Sequence, residues 1–246
     1  MVDAVLSRLS LYYQRNHPVG PTHVPVQSGS FHHVPGSERL VIILPYWHSK
    51  QSRFSAYRER LHKKGISTLY YDLGPHMLQA HVDQVLYNFT LAADAMCDEI
   101  KSIQSTFNIT KLDISAFSLG NSFVGLIVKK LQHIDTLRMV VPGDTLAACL
   151  WRSIATRQIR RGLEAQGVSE AELITAWAPL APVSYLPFFK DGVRRIEVTL
   201  ARADKFIPYN RGLAFVNELK NAGAQPEVHV WRTGHGTAMI RYLRTK

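Results

Sequence analysis

Residues 39–44 read Arg-Leu-Val-Ile-Ile-Leu, a continuous aliphatic run rich in β-branched side chains. A short apolar run without polar alternation marks a strand covered on both faces. Further strands are predicted at 66–72, 111–117, 137–141, 195–201 and 227–231. Between them the apolar positions change to helical spacing at 54–64, 82–107, 121–132, 210–221 and 237–244. Each of these predicts an amphipathic helix, and Gly65 is placed to cap the first of them. Nearer the start, 4–13 predicts a short amphipathic helix that Pro18, Gly20, Pro21 and Pro25 prevent from continuing. A weak strand is predicted at 30–34, ahead of the turn signal Pro35-Gly36-Ser37.

Strands alternating with helices predict βαβ units, hence a mainly parallel, doubly wound α/β sheet with helices on both faces. Right-handed crossovers then gather the strand C-termini along one edge, and ligands bind in the crevice outside it. Residues 145–189 contain no strand pattern, and Ser169-Glu170-Ala171-Glu172 has the form of a capping box at a helix start. The chain therefore reads as a single domain over 1–246, with 145–189 as a helical insertion before the penultimate strand and a candidate lid.

Composition changes this picture little. With 246 residues and 46% apolar side chains, the chain can bury a large core. Its formal charge of +10 raises the question of nucleic acid. The basic residues are scattered, however, and the densest cluster, 152–161, is expected on an exposed helix. A solvated basic surface without specific nucleic-acid binding is the expectation. Cys97 and Cys149 fall in apolar, helical stretches, where buried free thiols are expected. The first residues lack a signal-peptide pattern and no uncharged apolar stretch approaches membrane-spanning length, so a cytoplasmic protein without a transmembrane segment is predicted. No Cys/His set has zinc spacing and no glycine-rich loop suits a nucleotide, so no metal or cofactor is predicted.

The chemistry centres on Ala116-Phe117-Ser118-Leu119-Gly120, between a predicted strand and a predicted helix. A serine hydroxyl needs lifting toward a base and an electrophile before it acts as a nucleophile, and a tight strand-to-helix turn does this. The sharpness of that turn demands small residues two before and two after the serine; Ala116 and Gly120 meet the demand. Farther on, Asp204 follows the 195–201 strand, and His235 follows the 227–231 strand within Gly234-His235-Gly236.

In these residues and their order the chain resembles the α/β-hydrolase superfamily over roughly 38–246. The resemblance implies a serine hydrolase with Ser118 as nucleophile, His235 as base and Asp204 as the acid that orients it. It also implies an oxyanion hole from the Leu119 backbone N–H and one from the loop after the first buried strand, Trp47 first and Tyr46 second. At that loop Pro45-Tyr46 replaces the His-Gly frequent in the family. Asp144, after the 137–141 strand, is the alternative acid, whereas Asp113 lies inside the nucleophile strand. His48, His76, His133 and His229 lack an ordered serine and acid, and His32, His33 and His48 are expected on surface or loop positions, with His48 alternatively lining the pocket near the Trp47 turn. Leu150, Trp151, Trp177, Leu180, Tyr185, Leu186, Phe188 and Phe189 of the insertion are expected mostly in the core, with some roofing the cleft over Tyr46 and Trp47 as substrate-binding floor. The expected partner is a small apolar acyl ester. Thioesters, amides, peptides and lactones use the same triad, and a non-catalytic binding protein of this fold is the other class.

Overall fold

Among the described residues seven strands hydrogen-bond in the order β1-β3-β2-β4-β5-β6-β7. They are β1 (Ser30–His32), β2 (Arg39–Leu44), β3 (Ser67–Tyr70), β4 (Lys111–Phe117), β5 (Ile134–Val140), β6 (Val193–Ala201) and β7 (Glu227–Trp231). Only β1 runs antiparallel, against β3; every other pairing is parallel. This computed structural model describes residues 29–74, 77–131 and 133–245. The helix predicted at 4–13 and His76 lie outside the described residues.

Alternation along β2 divides the core in two. Leu40, Ile42 and Leu44 face one apolar cluster, Val41 and Ile43 the other, and all five are buried. The first cluster is closed by α2 (Val82–Phe107), α3 (Asn121–Leu131) and, through Phe215, Val216 and Leu219, α8 (Tyr209–Asn221). The second is closed by α1 (Ser55–Lys63) and α9 (His235–Thr245), through Tyr57, Leu61, Met239 and Tyr242. A strand buried on both faces needs no polar alternation, which is why β2 is so legible in the sequence.

Residues 145–189 form α4 (Leu146–Arg152), α5 (Arg157–Glu164), α6 (Glu170–Ala176), linking 3₁₀ turns and the start of α7 (Leu186–Gly192). The capping box at Ser169 is formed: its hydroxyl accepts from the Glu172 backbone N–H, and the Glu172 carboxylate accepts from the Ser169 N–H. Trp177 fixes the segment to the body by donating its indole N–H to the Val82 carbonyl at 3.0 Å. Trp177, Leu180 and Phe189 are core residues, whereas Phe188 is exposed. The segment 152–161 departs from an exposed helix. A 3₁₀ turn interrupts it and Ser153, Ala155, Thr156 and Ile159 are buried, the first three beside the cleft, while Arg152, Arg157 and Arg161 stay exposed as expected.

Other boundaries shift slightly. The last helix starts at His235 rather than 237, and β5 starts at Ile134 rather than 137. The polar residues Asp135 and Arg138, which obscured β5 in the sequence, are half-buried, and the Asp135 carboxylate accepts from the Leu112 N–H. Both cysteines are buried free thiols, and burial pushes Cys97 up to about 11 and Cys149 up to about 12. Among the described residues no helix is long and apolar enough to cross a membrane.

Candidate active site

The chain leaves β2 toward β3 on one side and returns through β4 on the other, so the strand order reverses between β2 and β4. At such a switch point the loops leaving two neighbouring strands diverge and open a crevice. Here those loops carry Pro45-Tyr46-Trp47 and Ser118.

Ser118 lies between β4 and α3 with φ of 50°. That left-handed conformation is uncommon for a residue with a Cβ and holds the side chain above the strand edge. Gly120 makes the turn feasible: a Cβ there would lie 2.2 Å from the Leu44 carbonyl oxygen. Ala116, fully buried, fits its methyl at the other small position. The Asn121 amide donates to the Ser118 carbonyl at 3.0 Å and the Val140 carbonyl at 3.1 Å, tying the serine turn to the end of β5. Just beyond, Val141 has φ of 49°, an outlier for a β-branched residue, and is held by donating its N–H to the Thr199 carbonyl at 2.8 Å.

The loops after β6 and β7 continue the pairing of their strands. Arg202 N–H donates to the Trp231 carbonyl and Ala203 N–H to the Thr233 carbonyl. This brings Asp204 beside His235. Asp204 Oδ1 accepts from the backbone N–H groups of Phe206 and Ile207 at 2.8 and 2.9 Å, which aims its other oxygen outward. Oδ2 lies 2.6 Å from His235 Nδ1, and His235 Nε2 lies 2.8 Å from Ser118 Oγ. A proton on Nδ1, facing the Asp204 carboxylate, would leave Nε2 presenting a lone pair to the serine. The Phe206 ring stacks on the imidazole at a centroid separation of 5.2 Å. Both His235 and Asp204 side chains are nearly inaccessible to water.

The other candidates sit elsewhere. Asp144 accepts from the Thr145 N–H and pairs with the Arg211 guanidinium at 2.9 Å. Burial pushes its carboxyl above the usual range, with Arg211 opposing. Asp113 is buried between Arg39 and Arg138. His229 faces Glu227 across 3.1 Å, His32 stacks on His62, and His133 is exposed. His48 lines the cleft with φ of 57°.

The cavity at Ser118 measures about 140 Å³. Tyr46, Trp47 and Leu119 line it near the serine, and Leu146, Leu150 and Ile207 make its wall mostly apolar. The insertion supplies much of that wall. Asn121 and Phe206 were missed in the sequence. Asn121 carried one signal, a helix-start residue directly after the serine turn; Phe206 carried none.

No family model matches the chain, and no curated protein matches it. Solved structures do. An acylaminoacyl peptidase from Pyrococcus horikoshii superposes with a TM-score of 0.66 at 13% identity, over 93% of this chain and 39% of that one. The chain thus spans about two fifths of the peptidase's length. An esterase from Pyrococcus furiosus gives 0.57 at 14% identity, over 85% of this chain and 78% of that one. A thermophilic esterase from Thermogutta terrifontis, solved with propionate bound, gives 0.60 at 13% identity, over 88% and 85% of the two chains. With its sheet order, its crossovers and these likenesses, the chain is an α/β-hydrolase-fold protein.

Proposed function

We propose that this protein is a serine hydrolase that cleaves carboxylic esters through an acyl-enzyme, with Ser118, His235 and Asp204 as its catalytic triad. The observation that carries the reading is the continuous contact from Asp204 Oδ2 through both imidazole nitrogens to Ser118 Oγ, at 2.6 and 2.8 Å. A serine held at a strained turn and joined to a buried base and acid has the geometry of an activated nucleophile. The esterases among the structural neighbours support the same class of reaction.

In this mechanism Ser118 Oγ attacks the ester carbonyl as His235 Nε2 takes the hydroxyl proton, and Asp204 stabilises the imidazolium. The Leu119 backbone N–H, with the Trp47 N–H as second donor, receives the tetrahedral oxyanion. Each such donor is worth roughly 3–4 kcal/mol of barrier. Collapse breaks the C–O bond, and the alcohol leaves with the His235 proton. Water then repeats the sequence on the acyl-enzyme, releasing the acid and restoring the serine. The apolar wall of Leu146, Leu150 and Ile207, over a floor of Tyr46 and Trp47, suits a small or medium apolar acyl group. The insertion acts as the roof of that pocket.

A fluorophosphonate probe is expected to label the protein at Ser118, read by peptide mass spectrometry, and Ser118→Ala should abolish the label. Folded wild-type protein that takes no label overturns the proposal. A series of acyl esters, thioesters, lactones and anilides then identifies the bond cleaved, with esters expected to react fastest.

A further inference from the structure

A second cavity, of about 290 Å³, lies between α1 and α9 and shares Tyr46, Arg53 and Met239 with the cavity at Ser118. Its apolar part is Tyr57, Ile240 and Leu243, and its charged residues are Arg53, Arg60 and Arg244. Among the described residues no Asp or Glu lines either cavity. From this arrangement we infer a recognition site for an anionic group, a carboxylate or phosphate, carried by the leaving alcohol of the substrate. The inference rests on the hydrolase reading of Ser118 and deepens it.

Three features support an anion here. Arg53 and Tyr46 line both cavities where they meet, and Arg53 opposes the upward push that burial gives the Tyr46 hydroxyl. A guanidinium only donates, so Arg53 at that junction can bond a ligand only through an acceptor oxygen. Arg60 donates to the carbonyls of Ala56 and Leu243, while its Nε is buried without an acceptor among the described residues. A buried donor left without a partner is costly, and a ligand oxygen would satisfy it. Finally, cationic walls without carboxylates concentrate anions, and the chain's charge of +10 reinforces this.

The position of the cavity selects the leaving alcohol rather than the acyl group. His235 must hand its proton to the leaving oxygen, so the alcohol departs on the imidazole's side. His235 opens α9, and the following turn supplies Gly236, Met239 and Ile240 to the second cavity. The apolar wall under the insertion lies at the first cavity instead and remains for the acyl chain.

The test compares 4-acetoxybenzoate with its neutral methyl ester, reading the ratio of their kcat/KM values. Wild-type enzyme is expected to favour the anionic ester, with a preference that declines as salt is added. Arg53→Gln should cut the ratio by about tenfold or more, the scale of one charge-assisted hydrogen bond, and Arg53→Lys should restore part of it. Binding of 4-hydroxybenzoate to Ser118→Ala, followed by calorimetry, gives a readout without turnover and should weaken when Arg53→Gln is added. Turnover of both esters with a ratio that Arg53→Gln does not change overturns the anion site and leaves the hydrolase standing. Arg53-dependent binding without any turnover supports the anion site and removes the hydrolase reading.

Discussion

At the scale of single residues, two carboxylates are candidates for one role, and their surroundings differ. Asp204 is held by two backbone N–H groups and directs its remaining oxygen to His235 Nδ1, whereas Asp144 is engaged by Arg211 and the Thr145 N–H. Asp204→Asn would offer the imidazole an amide, which can favour the wrong tautomer. Its kcat is expected to fall on the order of 10³–10⁴, as for a serine protease whose triad aspartate was so changed. Asp144→Asn weakens an ion pair outside the serine–histidine line, and its kcat should stay within about tenfold of wild type. Steady-state ester hydrolysis by the two variants decides the matter: a severe loss confined to Asp144→Asn would reassign the acid.

At the scale of elements, the serine turn depends on the close approach of β2 and the start of α3. A methyl at position 120 would lie 2.2 Å from the Leu44 carbonyl oxygen and 2.9 Å from that of Pro45. Those atoms are backbone of the central strand and of the loop bearing Trp47, so neither can move without disturbing the cleft. Gly120→Ala is expected to cost about 3 kcal/mol in urea unfolding, the upper range for overpacking, and to lower kcat of the folded fraction. This turn was legible in the sequence because small residues at 116 and 120 are a local demand that any chain making the turn must meet. The buried runs of β2 and β4 were legible for a similar reason. The inward path of 152–161 was not, because its direction comes from a 3₁₀ turn and from the packing of Ile159 into the core. The aromatic cover of His235 by Phe206 was equally invisible, since it depends on how the acid loop curls around its own aspartate. Another element contact carries a pH dependence. His62 of α1 stacks on His32 of edge strand β1 with ring centroids 3.8 Å apart and bonds Thr68. Burial first, then His32 and Arg58, hold His62 below its ordinary 6.5, with Glu59 opposing. The unfolded chain then binds more protons than the folded one as pH falls below about 6.5, so stability declines there. His62→Gln should flatten that decline, and urea midpoints measured from pH 7.5 to 5 would reveal it; an unchanged slope would exclude His62 as its source.

At the scale of the whole molecule, the sheet does more than hold the site. Charged side chains form a ladder across it: Arg39 of β2 and Arg138 of β5 bind Asp113 of β4, Arg138 reaches Glu197 of β6, and Arg195 joins Glu197 to Glu227 of β7. Asp113, 2% exposed at its side chain, is its most buried member, with Arg39 donating at 2.9 and 3.0 Å and Arg138 at 3.1 Å. On the same strand Ser115 bonds the Tyr57 hydroxyl at 3.0 Å, so polar groups under α1 and α9 are joined in place rather than replaced by apolar packing. Such a ladder registers five strands against one another, because a slip of two residues would leave a buried carboxylate facing no guanidinium. Asp113→Ala would remove the carboxylate that Arg39 and Arg138 share and leave half-buried Arg138 only its longer contact with Glu197. Breaking a buried pair costs about 3–5 kcal/mol, and the one-third exposure of Arg39 points to the lower end of that range. Urea unfolding should therefore lose about 3 kcal/mol, while fluorophosphonate labelling of the remaining folded protein persists. A loss under about 1 kcal/mol would mean that the ladder merely accompanies the fold. Loss of labelling in protein that remains folded would mean that strain runs along β4 from Asp113 to the serine turn at the strand's far end.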